Sequence, residues 1–281
     1  MDRLKVGPLV DGTELKEAGG GVAEVVNPAT GEVVAEQACC DRHTVGRIVD
    51  SSERAFNSPT WQSLSPAERG RLLLKLADLV EAQADKLIEL ELLDTGKPIS
   101  QLRNGEIPLC AALLRFYAGA ADKIDGAVKN TPGGFHLTLY EPYGVVAGIL
   151  PWNYPLVNAV LKVAPALAAG NALVLKPSVE TPLAAVEFAK LCRHAGIPAG
   201  IVNVVLGGGS TAGHALVVHP KVKKISFTGS TTVGQSIAKL AADQMKAVNL
   251  ECGGKNAIVV FADADLERAA DAVLILSLIH I

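Results

Sequence analysis

Several things are missing from these 281 residues: a CxxC pair, an HxxxH or HExxH spacing, an apolar run of membrane-spanning length, and a block of Lys or Arg. Each gap excludes a class of protein. The five cysteines (Cys39, Cys40, Cys110, Cys192, Cys252) are odd in number and unevenly spaced. They therefore read as reduced thiols in a reducing compartment, not as a disulfide framework or a zinc site. The six histidines lack metal-ligand spacing and read as surface or packing residues, so no metal is expected. A net charge of −3 without a basic cluster argues against a nucleic acid or an anionic membrane as partner. The Met1-Asp2-Arg3-Leu4 opening has no apolar signal core, which makes the cytoplasm the default location. What the chain does have is a globular composition, 49% hydrophobic and 20% charged, in a length that suits one large or two ordinary domains.

Up to about Asp41 the sequence is Gly-rich, and Asn27-Pro28-Ala29-Thr30-Gly31 turns between two short Val/Ala-rich runs, which predicts a hairpin. Apolar residues at helical spacing (Val45, Ile48, Val49) predict a helix over Arg42–Phe56. Ser65-Pro66-Ala67-Glu68 is a capping box that opens one long helix. Its stripe runs from Leu72 to Leu90, and Thr95-Gly96-Lys97-Pro98 closes it. A further helix is expected over Ile107–Ile124. Asp125–Tyr143, with Pro132-Gly133-Gly134 and an alternating Phe135–Tyr140 run, predicts an isolated extended arm of the kind that pairs outside its own domain.

From Gly144 the pattern changes. Val145–Leu150, Ala172–Leu175, Ile201–Leu206, Lys224–Phe227 and Ala247–Leu250 read as strands buried on both faces. Helical patterns over Leu156–Ala169, Pro182–Ala195, Thr211–Val218 and Thr231–Ala242 separate them. This alternation predicts an α/β fold with a doubly wound parallel sheet. A second apolar run, Ala257–Phe261, follows the last of these strands, and a helix begins near Asp263-Ala264-Asp265-Leu266-Glu267. Ala272–Ile281 carries no charge other than a protonatable His280 and has no cap. The expectation is that the chain is interrupted there, or that these last residues are foreign to the fold.

Polar clusters follow four of the strands: Pro151-Trp152-Asn153-Tyr154-Pro155, Lys176-Pro177-Ser178, Thr228-Gly229-Ser230-Thr231, and Glu251 followed by Gly253-Gly254. In a parallel sheet all carboxyl ends share one edge, where open α/β sheets bind ligands. The glycines after Glu251 are expected to turn the chain out of the sheet at φ values that other residues avoid. Thr228–Thr231 offers hydroxyls and N–H groups at a helix start, suited to a pyrophosphate or simply to an N-cap. Gly207–Gly213 fits G-x-G-x-x-G/A but lacks the acidic residue about 20 positions on. Lys176 reads as a ligand for ribose or phosphate, or as a snorkelling surface lysine. Asn153, flanked by prolines and aromatics, reads as an oxyanion donor or as a turn-satisfying amide.

These four clusters, in this order, resemble the aldehyde dehydrogenase superfamily. Asn27–Gly31, Thr95–Pro98 and Ala195-Gly196-Ile197-Pro198-Ala199-Gly200 are similar to its peripheral motifs. The resemblance runs from about Asn27 to about Asp271, and the surroundings of Pro132-Gly133-Gly134 look most like the betaine or trimethylaminobutyraldehyde branch. It implies NAD(P)-dependent oxidation of an aldehyde to an acid through a cysteine thioester, in a Rossmann-like fold. Asn153 would donate to the oxyanion and Glu251 would activate water or the thiol. Lys176 would hold the adenosine ribose and Gly229 and Ser230 the pyrophosphate, with Ile149, Pro151, Trp152, Gly209 and Phe227 lining the groove. Val179 stands where many NAD-preferring members carry Glu, with Glu180 one residue later, so NAD is expected and NADP stays open.

The implied division is residues 1–124 as the helical and hairpin part of the cofactor domain, 125–143 as an oligomerisation arm, 144–254 as the Rossmann-like core, and 255–281 as the start of a catalytic domain. The Gly-Gln-x-Cys stretch that carries the family's nucleophile is not present, and Cys252 occupies a position where the family usually has Leu. The expectation is therefore an inactive fragment of an enzyme that is a homodimer or homotetramer when whole. The rival readings are a non-catalytic dinucleotide-binding module and an interaction partner that assembles through the arm.

Overall fold

The structure, a computed structural model, describes residues 3–254 and 257–277. Short strands β1 (Leu4–Val6), β2 (Leu9–Val10) and β3 (Thr13–Glu14) lead into the hairpin β4 (Gly19–Val26) and β5 (Val33–Cys40), joined through the anticipated Asn27–Gly31 turn. Helix α1 (Arg42–Phe56) follows, N-capped by the Asp41 carboxylate, which accepts from Thr44 N. After the short α2 (Pro59–Gln62), the capping box forms as read: Ser65 accepts from Glu68 N, and the Glu68 side chain accepts from Ser65 N.

The long helix is in fact two, α3 (Pro66–Ala82) and α4 (Ala84–Thr95), which break at Gln83. Between the buried Val80 and Leu87 only the small side chain of Ala84 packs against the core, so little packing resists a change of direction there. Gly96, at φ +67°, ends α4 in the left-handed conformation. The next helical stretch starts earlier and stops sooner than read. It runs through the short α5 (Ile99–Gln101) and a π-turn at Leu102–Glu106 into α6 (Ile107–Ala120).

Among the described residues, strands β6 (Ala127–Thr131) and β7 (Gly134–Thr138) pair only with each other. They expose Val128, Phe135 and Leu137, with Leu139 and Tyr140 just beyond. The core then alternates β8 (Val145–Ile149), α7 (Pro155–Ala168), β9 (Ala172–Lys176), α8 (Leu183–His194), β10 (Val202–Val204), α9 (His214–Val217), β11 (Val222–Gly229), α10 (Thr231–Ala242) and β12 (Ala247–Cys252), and α11 (Leu266–Ser277) comes last. A π-turn over Gly209–Gly213 replaces the first part of the helix expected at Thr211–Val218.

The main sheet has the order β12-β11-β8-β9-β10-β2-β3, parallel from β12 to β10, with β2 antiparallel at the far end. Helices α3, α4, α6, α7 and α8 pack one face, and α1, α9 and α10 the other. This is the doubly wound architecture that the alternation predicted. Strand β12 departs from the reading: it is an edge strand, exposed or half-buried throughout, because α10 covers only one of its faces.

Ala257–Phe261 forms no strand, and Ile258, Val259, Val260 and Phe261 are exposed. A lone extended segment has no ladder to stabilise it. The reading of Ala272–Ile281 falls in part outside the described residues, as does Lys255. Among the described residues no helix is long and apolar enough to cross a membrane, and no cluster of metal-binding side chains occurs.

Candidate functional site

Strand register assembles the site. Lys176 pairs across the sheet with Ile149, Ile149 with Phe227, and Phe227 with Leu250, so β8 and β9 end in one row and β11 and β12 run two residues past it. The four polar clusters leave the sheet just past that row and share one rim.

Alternation along each strand then divides them between the two faces. Ile149 and Phe227 point into the core beside α1, α9 and α10. Lys176 points the same way: a Cβ at Gly213 would stand 3.4 Å from its Cε. Glu251 points to the other face, where it shares a cavity of about 1020 Å³ with Lys162 and Thr228. Apolar and aromatic residues from α6, α7 and the root of the hairpin, Tyr117, Ile124, Tyr143 and Leu161, also line it. Lys176 and Glu251 thus belong to one rim but to opposite faces of the sheet.

Lys176 is 5% exposed, and its Nζ donates to Pro177 O at 2.9 Å. Burial pulls its pKa down to about 8, against the opposing pull of Glu180. A snorkelling surface lysine would keep its head in water, so that reading is set aside. Lys162 was not anticipated. It donates to Thr228 Oγ1 at 2.9 Å, and burial lowers its pKa while the charge of Glu251 raises it. The available signal was one basic residue inside an otherwise apolar helix pattern, Leu156–Ala169.

Asn153 is half-buried before α7, and no hydrogen bond engages its amide among the described residues. It does not line the cavity that Glu251 lines. Ser230 is a working N-cap of α10, accepting from Val233 N at 3.4 Å, which leaves its hydroxyl hydrogen available to donate. No atom stands within 4 Å of where a Cβ on Gly209 would be, and Trp152 is half exposed at the same rim.

One further expectation changes. Gly253 leaves the strand outside the left-handed region and has open space around it, so the turn after Glu251 does not require glycine at that position. The thiols do not approach the acid. Cys39, Cys40, Cys110 and Cys192 are buried, and burial pushes each thiol up. Cys252 is exposed, and its Sγ packs against Gly234 of α10, on the face away from Glu251.

Comparison with known proteins gives the family and the fold. A model described as the aldehyde dehydrogenase family matches residues 15–280. A protein of Arabidopsis thaliana described as aldehyde dehydrogenase family 2 member B4, mitochondrial, is 45% identical over 265 residues, 94% of this chain and 49% of that protein. A phenylacetaldehyde dehydrogenase of Pseudomonas fluorescens is 44% identical over 276 residues, 96% of this chain and 55% of that one. The NAD+ complex of an aldehyde dehydrogenase from Bacillus cereus superposes with a TM-score of 0.91 at 39% identity, covering 96% of this chain and 55% of that chain. The chain therefore spans about half the length of the curated relatives it matches. With the motif order, the doubly wound sheet and the family match in agreement, the chain belongs to the aldehyde dehydrogenase family.

Proposed function

We propose that these residues form the cofactor-binding part of an enzyme that oxidises an aldehyde to a carboxylic acid with NAD. The observation that carries the reading is Lys176: a buried ammonium at a strand's carboxyl end, with one backbone acceptor and two N–H donors to spare. That donor set suits ribose hydroxyls or a phosphate. The open space at Gly209, the spare Ser230 hydroxyl and the half-exposed face of Trp152 suit the rest of a dinucleotide. The NAD+ complex of the Bacillus cereus relative supports the same choice of cofactor.

When bound, NAD supplies a hydride acceptor. The chain's own residues do the rest. Lys176 donates to the ribose, and Gly229 and Ser230 sit against the pyrophosphate. Pro151, Trp152 and Gly209 line the groove, and the buried Ile149 and Phe227 back it from the core. Asn153 Nδ2, unengaged at the rim, donates to the carbonyl oxygen as negative charge gathers there. Glu251 takes a proton from the thiol or from water, with the Lys162 side chain lining the same cavity. No thiol described above reaches Glu251, so the nucleophile comes from sequence outside these 281 residues. By themselves they bind the cofactor without turnover. The division at 125–143, 144–254 and 255–281, and the assembly of the whole protein as a dimer or tetramer through the exposed hairpin, belong to the same proposal.

Titration of the 281-residue chain with NAD in a calorimeter should give one site per chain. A panel of aldehydes that includes betaine aldehyde should give no NADH absorbance. Absence of NAD binding by a folded chain sinks the cofactor reading, and NADH formation sinks the statement about the nucleophile.

A further inference from the structure

One cluster of buried ionisable groups lies against the Asn153 loop, and the chemistry above makes no use of it. Gly96 ends α4 and delivers Lys97 into the core, where its Nζ lies 2.6 Å from Glu106 Oε1 and 3.8 Å from Glu91 Oε1. Glu91, Lys97 and Glu106 are 1%, 9% and 4% exposed. The π-turn at Leu102–Glu106 sets Glu106 within reach.

Burial, and next the charge of Glu106, pushes the Glu91 carboxyl well above the usual carboxylate range. The set thus places one lysine between two buried carboxyl groups. A buried ion pair of this kind contributes little net stability against an apolar alternative, so its value lies in fixing a geometry.

The geometry it fixes is that of Tyr154. The Lys97 ammonium sits 3.6 Å from the centroid of the Tyr154 ring, a cation–π contact out of water. Gln101 Nε2 donates to the Tyr154 hydroxyl at 3.4 Å, and the Tyr154 carbonyl accepts from Asn158 N and Nδ2, each at 3.0 Å. Tyr154 is thus held at ring, hydroxyl and carbonyl, whereas among the described residues no hydrogen bond holds the adjacent Asn153 amide. The place of Asn153 follows from that of Tyr154.

We propose that Lys97 is a positioning residue: clamped by Glu106 and Glu91, it holds the Tyr154 ring and through it the Trp152-Asn153 stretch at the sheet rim. The functional weight of this rests on the oxyanion role of Asn153 proposed above, but its test does not. Trp61 is 2% exposed and Trp152 50%, so acrylamide quenching of tryptophan emission reports on Trp152.

In the 281-residue chain, Tyr154→Phe keeps the ring and should quench like the unchanged chain. Tyr154→Leu and Lys97→Met should each raise the quenching constant about twofold with the far-ultraviolet circular dichroism unchanged. Combining Lys97→Met with Tyr154→Leu should add nothing further, because both remove the same contact. Unchanged quenching in a folded Tyr154→Leu chain overturns the proposal, and so does an additive double variant. If Lys97→Met does not fold, the Tyr154→Phe and Tyr154→Leu pair decides alone. A failure to bind NAD would sink the cofactor reading and leave this series intact.

Discussion

Lys176 is where burial and chemistry are most tightly linked. Its folded pKa of about 8 lies below the ordinary lysine value, so between about 8 and 10.5 the unfolded chain binds more protons and stability rises with pH. Below about 8 the full cost of burying the charge is present. Lys176→Met should therefore stabilise the unliganded chain at pH 7, by up to about 3 kcal/mol for a shift of this size, and the gain should shrink as pH approaches 10.5. Urea unfolding at pH 7 and 10 checks this. The same ammonium should make cofactor binding pH-dependent: NAD affinity falls as pH rises through about 8 in the unchanged chain and stays flat, and weaker, in Lys176→Met. Equal pH profiles for the two chains would remove Lys176 from the cofactor site. The placement of Asn153, Lys176, Ser230 and Glu251 at the sheet rim was legible in the sequence, because each follows a strand-like run. Lys162 was not read, because helical periodicity does not reveal which turn of a helix faces the end of a neighbouring strand.

Among the elements, α10 and β12 approach each other closely. A Cβ at Gly234 would stand 2.7 Å from Cys252 Sγ, closer than real contacts allow, so helix and strand meet across a glycine. Gly234→Ala should destabilise the chain by about 1–3 kcal/mol through overpacking. Cys252→Ala in the same chain should restore most of the loss, which thermal unfolding of the single and double variants would show. No restoration would mean that the strain falls on the nearby Phe227 ring instead. Boundaries set by local chemistry, such as the Ser65–Glu68 capping box and the Gly96 stop, were readable residue by residue. The break at Gln83 was not, because both sides of it keep the same apolar stripe and only packing chooses the direction.

For the molecule as a whole, the unpartnered surfaces lie at the hairpin and along β12. Val128, Phe135, Leu137, Leu139 and Tyr140 are 56–71% exposed on or just beyond a two-stranded sheet with no further strand partner among the described residues. Such a ribbon is marginal in water by itself. Sedimentation of the chain should show concentration-dependent self-association, reduced by Phe135→Asp with Leu137→Asp. A chain that stays monomeric at high concentration would remove the assembly role from the hairpin.

The sequence by itself determined the layering of this protein: strands alternating with helices, and a polar group placed after four strand ends. Those are matters of periodicity and neighbouring residues, which a one-dimensional pattern carries. Only the tertiary structure decided which face each group takes, with Lys176 on one side of the sheet and Glu251 on the other, and which distant residues meet them. It also decided that β12 forms an edge and that Ala257–Phe261 is no strand. Burial and ladder pairing depend on what another segment places alongside, and no local pattern encodes that.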